Sequence, residues 1–266
     1  MTDSQPDRVF IAPPSPSRFL VKWLIFNVLA GRDPDRYFRQ RARLAQWMGR
    51  MGLYETAHLR FLRRLVKPGD HVLDIGANFG AYAIVLADLV GPGGLVHAVD
   101  PLPLVYPALR ALALRLPQIR LYTHLLSDIP GTPVVLKVPF LPGGIPEPAF
   151  GSLHLPEAPA LTFPLMTTTL DTVLGGLERL DFLKVDVEGH ERSILAGGEQ
   201  TIEQFKPIIQ FESVFAQGEF EAWSDWAGTH GYRLMQLSCG RLEPLQSQDE
   251  ADGYNFYLVH TDRAVP

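Results

Sequence analysis

Acidic and basic side chains are concentrated between residues 181 and 191, where the sequence reads DFLKVDVEGHE. An apolar strand pattern ends there at Asp186, and the carboxyl end of a parallel strand borders the crevice in which open α/β sheets bind ligands. Glu188 and His190 follow, and histidine can take up a proton near neutral pH. Asp186, Glu188 and His190 are therefore the candidate catalytic residues. Alternatively, the glutamates only favour the N-terminus of the next helix, and His190 is a surface residue.

A second group of candidate residues forms a loop after an apolar strand that ends in Asp74 and Ile75. Gly76, Asn78 and Gly80 follow at the spacing G-x-N-x-G. Glycine at the end of a strand lets the backbone approach a ligand because it has no Cβ. Dinucleotide sites have the spacing G-x-G-x-x-G instead. We therefore predict that Asp74, Gly76, Asn78 and Gly80 bind a cofactor other than a dinucleotide.

Candidate ligand contacts also follow the next two predicted strands. Asp100 ends the second strand, at the position from which a carboxylate accepts hydrogen bonds from both hydroxyls of a ribose. The alternative for Asp100 is a solvated turn residue before Pro101. Ser127 and Asp128 follow the third strand and could contact an adenine ring. They also begin the sequence Ser-Asp-Ile-Pro-Gly, which is typical of a plain turn, so both interpretations stay open.

The elements that must position these residues alternate between strand and helix from Asp70 onward, which predicts a parallel sheet with crossover helices. A helix is expected from Gly80 to about Val90, and strands are expected at 71–75, 95–99, 119–126, 134–138, 181–186 and 207–212. The last two apolar segments, 232–238 and 254–260, have no helix between them and should pair antiparallel. The predicted fold class is α/β, with a Rossmann-like, mostly parallel sheet, a C-terminal antiparallel hairpin and N-terminal helices.

The chain divides by composition into a loose leader at 1–17, an N-terminal helical cap at 18–66 and a ligand-binding domain at 67–266. The apolar run 19–30 is shorter than the about 20 residues that a membrane span needs, so we expect a buried or capping helix there. The segment 130–164 holds nine of the 23 prolines. We expect this insert to be a lid or a substrate-binding flap; a surface excursion or an oligomer contact is the alternative.

Composition limits the partners of the protein. A hydrophobic share of 46% and a charged share of 20% in 266 residues fit one α/β core with a small appendage. The net charge of −5 and the pI near 5.9 offer no general basic surface, so nucleic acid is not expected as a partner. The single cysteine, Cys239, cannot form an internal disulfide. Together with the lack of a signal-peptide pattern, this suggests a cytoplasmic protein without a membrane span.

The candidate segments, taken together, resemble the FkbM family of S-adenosylmethionine-dependent methyltransferases over about residues 54–260. The resemblance is carried, in this order, by VLDIGANFG, HAVDP, LLSD, TTTLDTVL, DFLKVDVEGHERSILAGG and KPIIQFE. It implies a class I methyltransferase fold with S-adenosyl-L-methionine as the cofactor. The 74–80 loop and Asp100 would hold the cofactor, and residues 186–190 would form the edge of the active site. The family more often has Glu-Pro in place of Asp100-Pro101, so the shorter side chain must reach further or sit closer to the ribose.

The resemblance also implies O-methylation of a hydroxyl on a sugar, a polyketide or another natural product, and therefore a small-molecule or glycan acceptor. The methyl group is already activated, so the protein must align the acceptor oxygen and remove its proton. We expect His190 or Asp186 to take the proton, with Glu188 orienting the base or the substrate. The sequence does not require a metal, although Asp186, Glu188 and Glu212 could converge as oxygen ligands at adjacent strand ends.

Two functions from other classes stay open at the level of sequence. A NAD-dependent oxidoreductase would share the open sheet and the acid on the second strand, but the missing third glycine and the D-V-E-G-H-E segment count against it. A non-catalytic interaction protein would keep the fold and bind the cofactor without turnover. The intact acids at 74, 100 and 186 argue against that loss of activity.

Overall fold

The computed structural model describes residues 33–141, 144–155, 158–215 and 218–265. The predicted leader at 1–17 and the apolar run at 19–30 lie outside these residues. None of the helices in the described ranges is both long enough and apolar enough to cross a membrane.

Strands and helices alternate along most of the described chain. In chain order, the strands are β1 His71–Ile75, β2 Leu95–Val99, β3 Ile119–Tyr122, β4 Leu125–Leu126, β5 Pro133–Leu141, β6 Ile145–Pro146, β7 Ala160–Thr168, β8 Phe182–Val185, β9 Ile208–Glu212, β10 Tyr232–Ser238, β11 Arg241–Pro244 and β12 Asn255–His260. The helices are α1 Pro34–Arg50, α2 Thr56–Leu65, α3 Ala81–Val90, α4 Tyr106–Arg115, α5 Leu170–Val173, α6 Glu191–Ala196, α7 Glu199–Phe205 and α8 Glu219–Thr229.

An eight-stranded sheet in the order β11-β10-β12-β9-β8-β1-β2-β3 forms the centre of the fold. The five strands from β9 to β3 are parallel, whereas β12 is antiparallel to both β9 and β10. The predicted class, a mostly parallel α/β sheet with a C-terminal antiparallel pair, is confirmed. The parallel arrangement brings the carboxyl ends of β1, β2, β8 and β9 to one edge, and the candidate residues follow those strands.

The insert at 130–164 is more regular than a proline-rich loop. Its strands contribute to a second, four-stranded sheet in the order β4-β7-β5-β6. The prediction of one strand over 119–126 is wrong, because the chain leaves the main sheet after Tyr122 and β4 pairs with β7 of the second sheet. The strand expected at 134–138 exists but extends from Pro133 to Leu141 and belongs to this second sheet.

The N-terminal helix α1 packs against α3 on one face of the main sheet. Asp33 caps its first turn by accepting hydrogen bonds from the backbone N–H groups of Asp35 and Arg36. The sequence predicts a helical cap over 18–66, and the described part of that range contains α1 and α2, but two large apolar residues at the C-terminal end of α1 do not face the core. Trp47 and Met51 are 54% and 60% exposed, and the residues that the helix buries include Tyr37, Phe38, Ala42 and Gln46.

Candidate active site

The 76–80 loop joins the ends of three neighbouring strands. The backbone N–H of Gly76 donates to the carbonyl of Val99 at the end of β2 (2.9 Å). Gly76 has φ = 78°, and a Cβ on it would lie 1.8 Å from the backbone oxygen of Asp186. Gly80 has φ = 80° and caps α3. A side chain at position 76 would therefore push this loop, the candidate cofactor loop, away from the acidic segment, in addition to straining the backbone.

Asp100 shapes the same loop from the end of β2. Its carboxylate accepts hydrogen bonds from the backbone N–H groups of Asn78 (2.8 Å) and Leu102 (2.9 Å). Burial raises the pKa of Asp100 to about 6, although these two hydrogen bonds oppose the shift. Asn78 adopts a left-handed backbone with φ = 48°, and its side-chain oxygen is buried without a hydrogen-bond partner among the described residues. The loop therefore presents oxygen acceptors to a ligand that carries donors.

Asp74 is fully buried beneath this loop, with 0% of its surface exposed. Neither carboxylate oxygen has a hydrogen-bond partner of normal geometry in the described ranges, although the nearby backbone N–H of Ala83 helps to stabilise its charge. The Lys184 ammonium is 4.0 Å from Asp74 Oδ1. Burial outweighs this attraction and raises the pKa of Asp74 to about 6. In this conformation Asp74 would act on a cofactor through its charge and not by direct contact.

Three half-buried acids converge at the neighbouring ends of β8 and β9. Asp186, Glu188 and Glu212 each place one carboxylate oxygen within 4.8 Å of the other two. Glu212 reaches this position because β8 and β9 pair in parallel, so that residues following Val185 lie beside the end of β9. We call these three residues the acid cluster. Their oxygens could bind a divalent cation or accept hydrogen bonds from a hydroxylated substrate.

Lys184 balances one charge of the acid cluster. Its ammonium is 2.8 Å from Asp186 Oδ2 and 4.6 Å from the centre of the Tyr82 ring. Burial disfavours the charged lysine, but the attraction of Asp186, Asp74 and Glu55 is larger in sum and raises the pKa of Lys184. Burial likewise disfavours a charged Asp186, yet the Lys184 ammonium holds the pKa of Asp186 below its ordinary value. The pair is therefore ionised at neutral pH.

The other two acids of the cluster bind protons more tightly. Burial, reinforced by the charge of Asp186, raises the pKa of Glu188 to about 8 and the pKa of Glu212 to about 10. A carboxyl group with a pKa near the working pH is suited to general acid–base chemistry. By this criterion Glu188 is the best-placed base of the cluster, because Asp186 is a weak base when it is paired with Lys184.

The loop that carries Glu188 is held in an uncommon conformation. Glu188 has φ = 57° and Gly189 has φ = 94°. The buried Glu191 carboxylate accepts hydrogen bonds from the backbone N–H groups of Val187 (3.0 Å) and Gly189 (3.3 Å). Ser152, from the insert, donates a hydrogen bond to the Glu188 backbone oxygen (3.0 Å). Glu191 thus has a structural role in the loop, and the contribution of Ser152 could not be predicted from local sequence.

His190 lies with the residues that we predicted to contact adenine. Its Nε2 is 3.0 Å from Ser127 Oγ, and Ser127 Oγ donates to Asp128 Oδ1 (2.9 Å). Because a hydroxyl has one hydrogen, Nε2 is assigned as the donor to Ser127. Burial and the neighbouring His154 lower the pKa of His190. These contacts connect His190 to the Ser127–Asp128 turn, whereas Asp186 and Glu188 belong to the acid cluster.

The connection between α1 and α2 also reaches the acid cluster, which the sequence did not specify. The Tyr82 hydroxyl donates to the Glu55 carboxylate. Tyr54 packs its ring edge-to-face on Tyr82, with the ring centres 6.2 Å apart. Burial, with the charges of Glu55 and Asp186, raises the pKa of Tyr54. Tyr54 is therefore near enough to the acids to feel their charge, whereas Tyr37 of α1 is part of the core.

The charge of the crevice restricts the cofactors that fit. The negative charges of Asp74 and Asp186 raise the pKa of Asp100 further, so the three acids act on one another. Lys184, the lysine between Asp74 and Asp186, is already paired. Such a crevice favours a cationic ligand and opposes the pyrophosphate of a dinucleotide. The sulfonium and ammonium groups of S-adenosylmethionine fit the acids, and the buried Asn78 oxygen can accept a hydrogen bond from such a ligand.

Known proteins with related sequences are methyltransferases. The chain is 30% identical over 182 residues to the 31-O-demethyl-FK506 methyltransferase FkbM of Streptomyces tacrolimicus, which covers 58% of this chain and 69% of that protein. It is 41% identical over 71 residues to a ribosomal RNA large subunit methyltransferase E of Methanothermobacter thermautotrophicus, covering 27% of this chain and 33% of that enzyme. The crystal structure of the methyltransferase FkbM from Methylobacillus flagellatus KT aligns with a TM-score of 0.47 and 14% identity. That alignment covers 91% of this chain and 60% of the solved one.

The family model of the methyltransferase FkbM domain matches residues 74–234. This range is more than half of the chain, and it begins at Asp74 and includes the whole acid cluster. The predicted cofactor agrees with this family. The chain therefore belongs to the FkbM family of S-adenosylmethionine-dependent methyltransferases.

Proposed function

We propose that this protein transfers the methyl group of S-adenosylmethionine to a hydroxyl oxygen of a sugar, a polyketide or another natural product. The observation that carries the proposal is the acid cluster, which lies against the cofactor loop and contains a carboxyl group with a pKa near neutral. The name of the Streptomyces tacrolimicus relative, which describes an O-methylation, is consistent with this chemistry.

In the proposed reaction the cofactor supplies an electrophilic methyl group, and the chain supplies alignment and a base. The acceptor hydroxyl binds beside Glu188, whose carboxylate takes the hydroxyl proton as the oxygen–carbon bond forms and the carbon–sulfur bond breaks. Lys184 keeps Asp186 ionised, and Asp186 accepts a hydrogen bond from a neighbouring hydroxyl of the acceptor. Alignment of the reacting atoms contributes up to about 7–11 kcal/mol in well-oriented systems. A positioned base contributes about 10²–10⁴ in rate.

The acid cluster also supports a choice among acceptors. Carboxyl groups form paired hydrogen bonds with neighbouring hydroxyls, and their negative charge repels phosphate groups. We therefore propose a neutral or cationic polyhydroxylated small molecule or glycan as the acceptor. The similarity of 71 residues to a ribosomal RNA methyltransferase makes RNA the second candidate, and it belongs in the same assay.

Cofactor binding and acceptor screening test the proposal separately. Calorimetric titration should give binding of S-adenosylmethionine and no binding of NAD. Mass spectrometry should then detect the gain of one methyl group on a member of a panel of glycans, polyketides and RNA. Binding of NAD would favour the oxidoreductase alternative. Tight binding of S-adenosylmethionine without methyl transfer to any member would favour a non-catalytic protein.

Replacement of His190 should affect cofactor binding more than turnover. In His190→Ala, loss of the hydrogen bond to Ser127 should weaken S-adenosylmethionine binding by about 5-fold, because a neutral hydrogen bond contributes about 1 kcal/mol. We expect kcat on the identified acceptor to stay within about 3-fold of wild type, since a base would contribute far more. Calorimetry and steady-state kinetics measure the two effects. A 100-fold fall in kcat would instead support His190 as the base.

Chelation tests whether the acid cluster works without a metal. Lys184 already pairs with Asp186, and a protonated Glu212 reduces the charge of the cluster, so we expect full activity after treatment with EDTA. Kinetics before and after treatment, with and without added Mg²⁺, measure this. If activity is lost and Mg²⁺ restores it, Asp186, Glu188 and Glu212 are metal ligands, and the metal-free proposal is wrong.

A further inference from the structure

A buried ion pair connects the N-terminal helix to the insert. Arg41 Nη1 on α1 is 2.8 Å from Glu147 Oε1, and the two side chains are 13% and 0% exposed. Glu147 begins a short helical turn at Pro148–Phe150 and also accepts a hydrogen bond from the Ala149 backbone N–H (3.4 Å). The residues are 106 positions apart in sequence. Because an isolated buried charge is costly, each of the two segments helps to hold the other in place.

The same helix holds the cofactor loop at Phe79. The Arg41 guanidinium lies 5.0 Å from the centre of the Phe79 ring, within the range of a cation–π interaction. Gln46 Nε2 donates to the Phe79 backbone oxygen (3.0 Å), and the Phe38 ring stacks 6.0 Å from that of Phe79. Arg41 therefore contacts the cofactor loop and the insert with one planar group.

The insert, in turn, contacts the proposed base. Ser152 pairs with Lys137 across the insert and donates its hydroxyl hydrogen to the Glu188 backbone oxygen (3.0 Å). That hydrogen bond meets Glu188 in its left-handed conformation, where the backbone needs support from its surroundings. The contacts thus run from Phe79 through Arg41 and Glu147 to the turn before Ser152 and on to Glu188.

We propose that Arg41 and Glu147 are positioning residues that link the cofactor loop to the conformation of Glu188 through the insert. The inference rests on the proposed function, because it takes 76–80 as the cofactor loop and Glu188 as the base. When a ligand orders the loop, Phe79 fixes Arg41, Arg41 fixes Glu147, and the insert is held against the Glu188 loop. By thermodynamic reciprocity, an ordered insert strengthens cofactor binding.

Hydrogen exchange of the full-length protein, with S-adenosylhomocysteine as the probe, tests this link. In wild type, the probe should slow exchange at 145–152 and 187–189 by about 5-fold or more, the lower range of typical coupling between sites. The double variant Arg41→Gln/Glu147→Gln removes both charges and so leaves neither buried and unpaired. In this variant the probe should still slow hydrogen exchange at 76–80 but should no longer slow it at 145–152 and 187–189, the two remote segments.

Matched variants separate positioning from a general loss of structure. Arg50 and Asp88 form a half-exposed ion pair between α1 and α3, so Arg50→Gln/Asp88→Asn should behave as wild type. Arg41→Lys keeps the charge and should restore part of the remote slowing, whereas Arg41→Gln should not. If the double variant fails to fold, the hydrogen-exchange test is carried out on these single variants instead.

Three results would overturn the inference. Wild type could bind the probe in calorimetry without slower exchange at the insert. The variants that remove the Arg41 or Glu147 charge could keep the full remote slowing. The Arg50→Gln/Asp88→Asn control could lose the slower exchange at the remote segments as fully as the Arg41 and Glu147 variants do. By contrast, failure of wild type to bind S-adenosylhomocysteine at all would contradict the proposed function itself, so the two failures are distinguishable.

Discussion

Glu188→Gln is expected to lower kcat on the identified acceptor by about 10²–10⁴-fold, the usual contribution of a positioned base. Glutamine keeps the size of the side chain and its hydrogen-bonding oxygen but cannot take the acceptor proton. The backbone contacts of Glu188, including the hydrogen bond from Ser152, do not depend on the carboxylate. Binding of S-adenosylmethionine should therefore change little, and calorimetry together with steady-state kinetics separates the two quantities.

The pH profile adds an independent signature of the same residue. Burial raises the pKa of Glu188 to about 8, and the base is the deprotonated form. The rate in wild type should therefore increase as the pH rises through about 8, and this limb should be absent in Glu188→Gln. Glu203→Gln, on the exposed surface of α7, is the matched control and should retain it. A Glu188→Gln enzyme with near-normal turnover and an unchanged profile would exclude Glu188 as the base.

The parts of the fold that the sequence predicts well are those in which one apolar run makes one buried strand. Strands β1 and β2 are almost fully buried, and their runs stop at Asp74-Ile75 and at Asp100, next to glycine or proline. Parallel central strands are covered on both faces, so their sequences are apolar throughout and their ends are sharp. Because the carboxyl ends of such strands lie together, the meeting of Asp186 with Glu212 could also be anticipated.

The second sheet was harder to predict because its sequence signals conflict. Strand β7 runs from Ala160 to Thr168 with Pro164 in its interior, and proline in a strand argues against regular pairing. Pairing with β5 from Pro133 to Leu141 nevertheless forms. Tertiary context decides there, since Leu136 and Val138 of β5 are buried and alternate with more exposed neighbours. Local propensity alone suggests a loop at such a segment.

The protonation states of the site depend on distances that no linear pattern contains. Asp186 and Glu188 are two residues apart and have the same chemistry, yet the pKa of one is lowered and that of the other is raised. The difference comes from Lys184, whose ammonium reaches Asp186 at 2.8 Å. Likewise, the contact of Arg41 with Glu147 joins segments for which the sequence offers no shared motif. Residue types at the site were predictable, whereas their roles required the folded geometry.

Asp74→Asn is expected to make the folded protein more stable and to weaken its binding of S-adenosylmethionine. Burial raises the pKa of Asp74 in the folded protein to about 6 from its ordinary value of 3.8, so the native state holds this proton more tightly than the unfolded chain. The contribution of Asp74 to the free energy of unfolding is therefore fully present below about pH 4 and is lost as the pH rises through about 6. Asparagine has no charge to bury. The variant should match wild type in acid and exceed it above pH 6 by up to about 3 kcal/mol, since one pKa unit is about 1.36 kcal/mol.

Binding of S-adenosylmethionine to Asp74→Asn should change in the opposite direction, by a loss of about 10- to 100-fold, because the attraction between two unit charges about 6–10 Å apart contributes about 1.7–2.8 kcal/mol at an effective dielectric constant of about 20. Denaturant unfolding at several pH values and calorimetry of the cofactor measure both effects, with the exposed Asp249→Asn as the control. A variant that is less stable than wild type at pH 8 would mean that the attraction between Asp74 and Lys184, 4.0 Å apart, exceeds the cost of burial. If the variant gains stability and keeps its affinity, the charge of Asp74 has no role in holding the cofactor. The expected combination would identify the buried carboxylate as a cost in the free protein that the cationic cofactor offsets on binding.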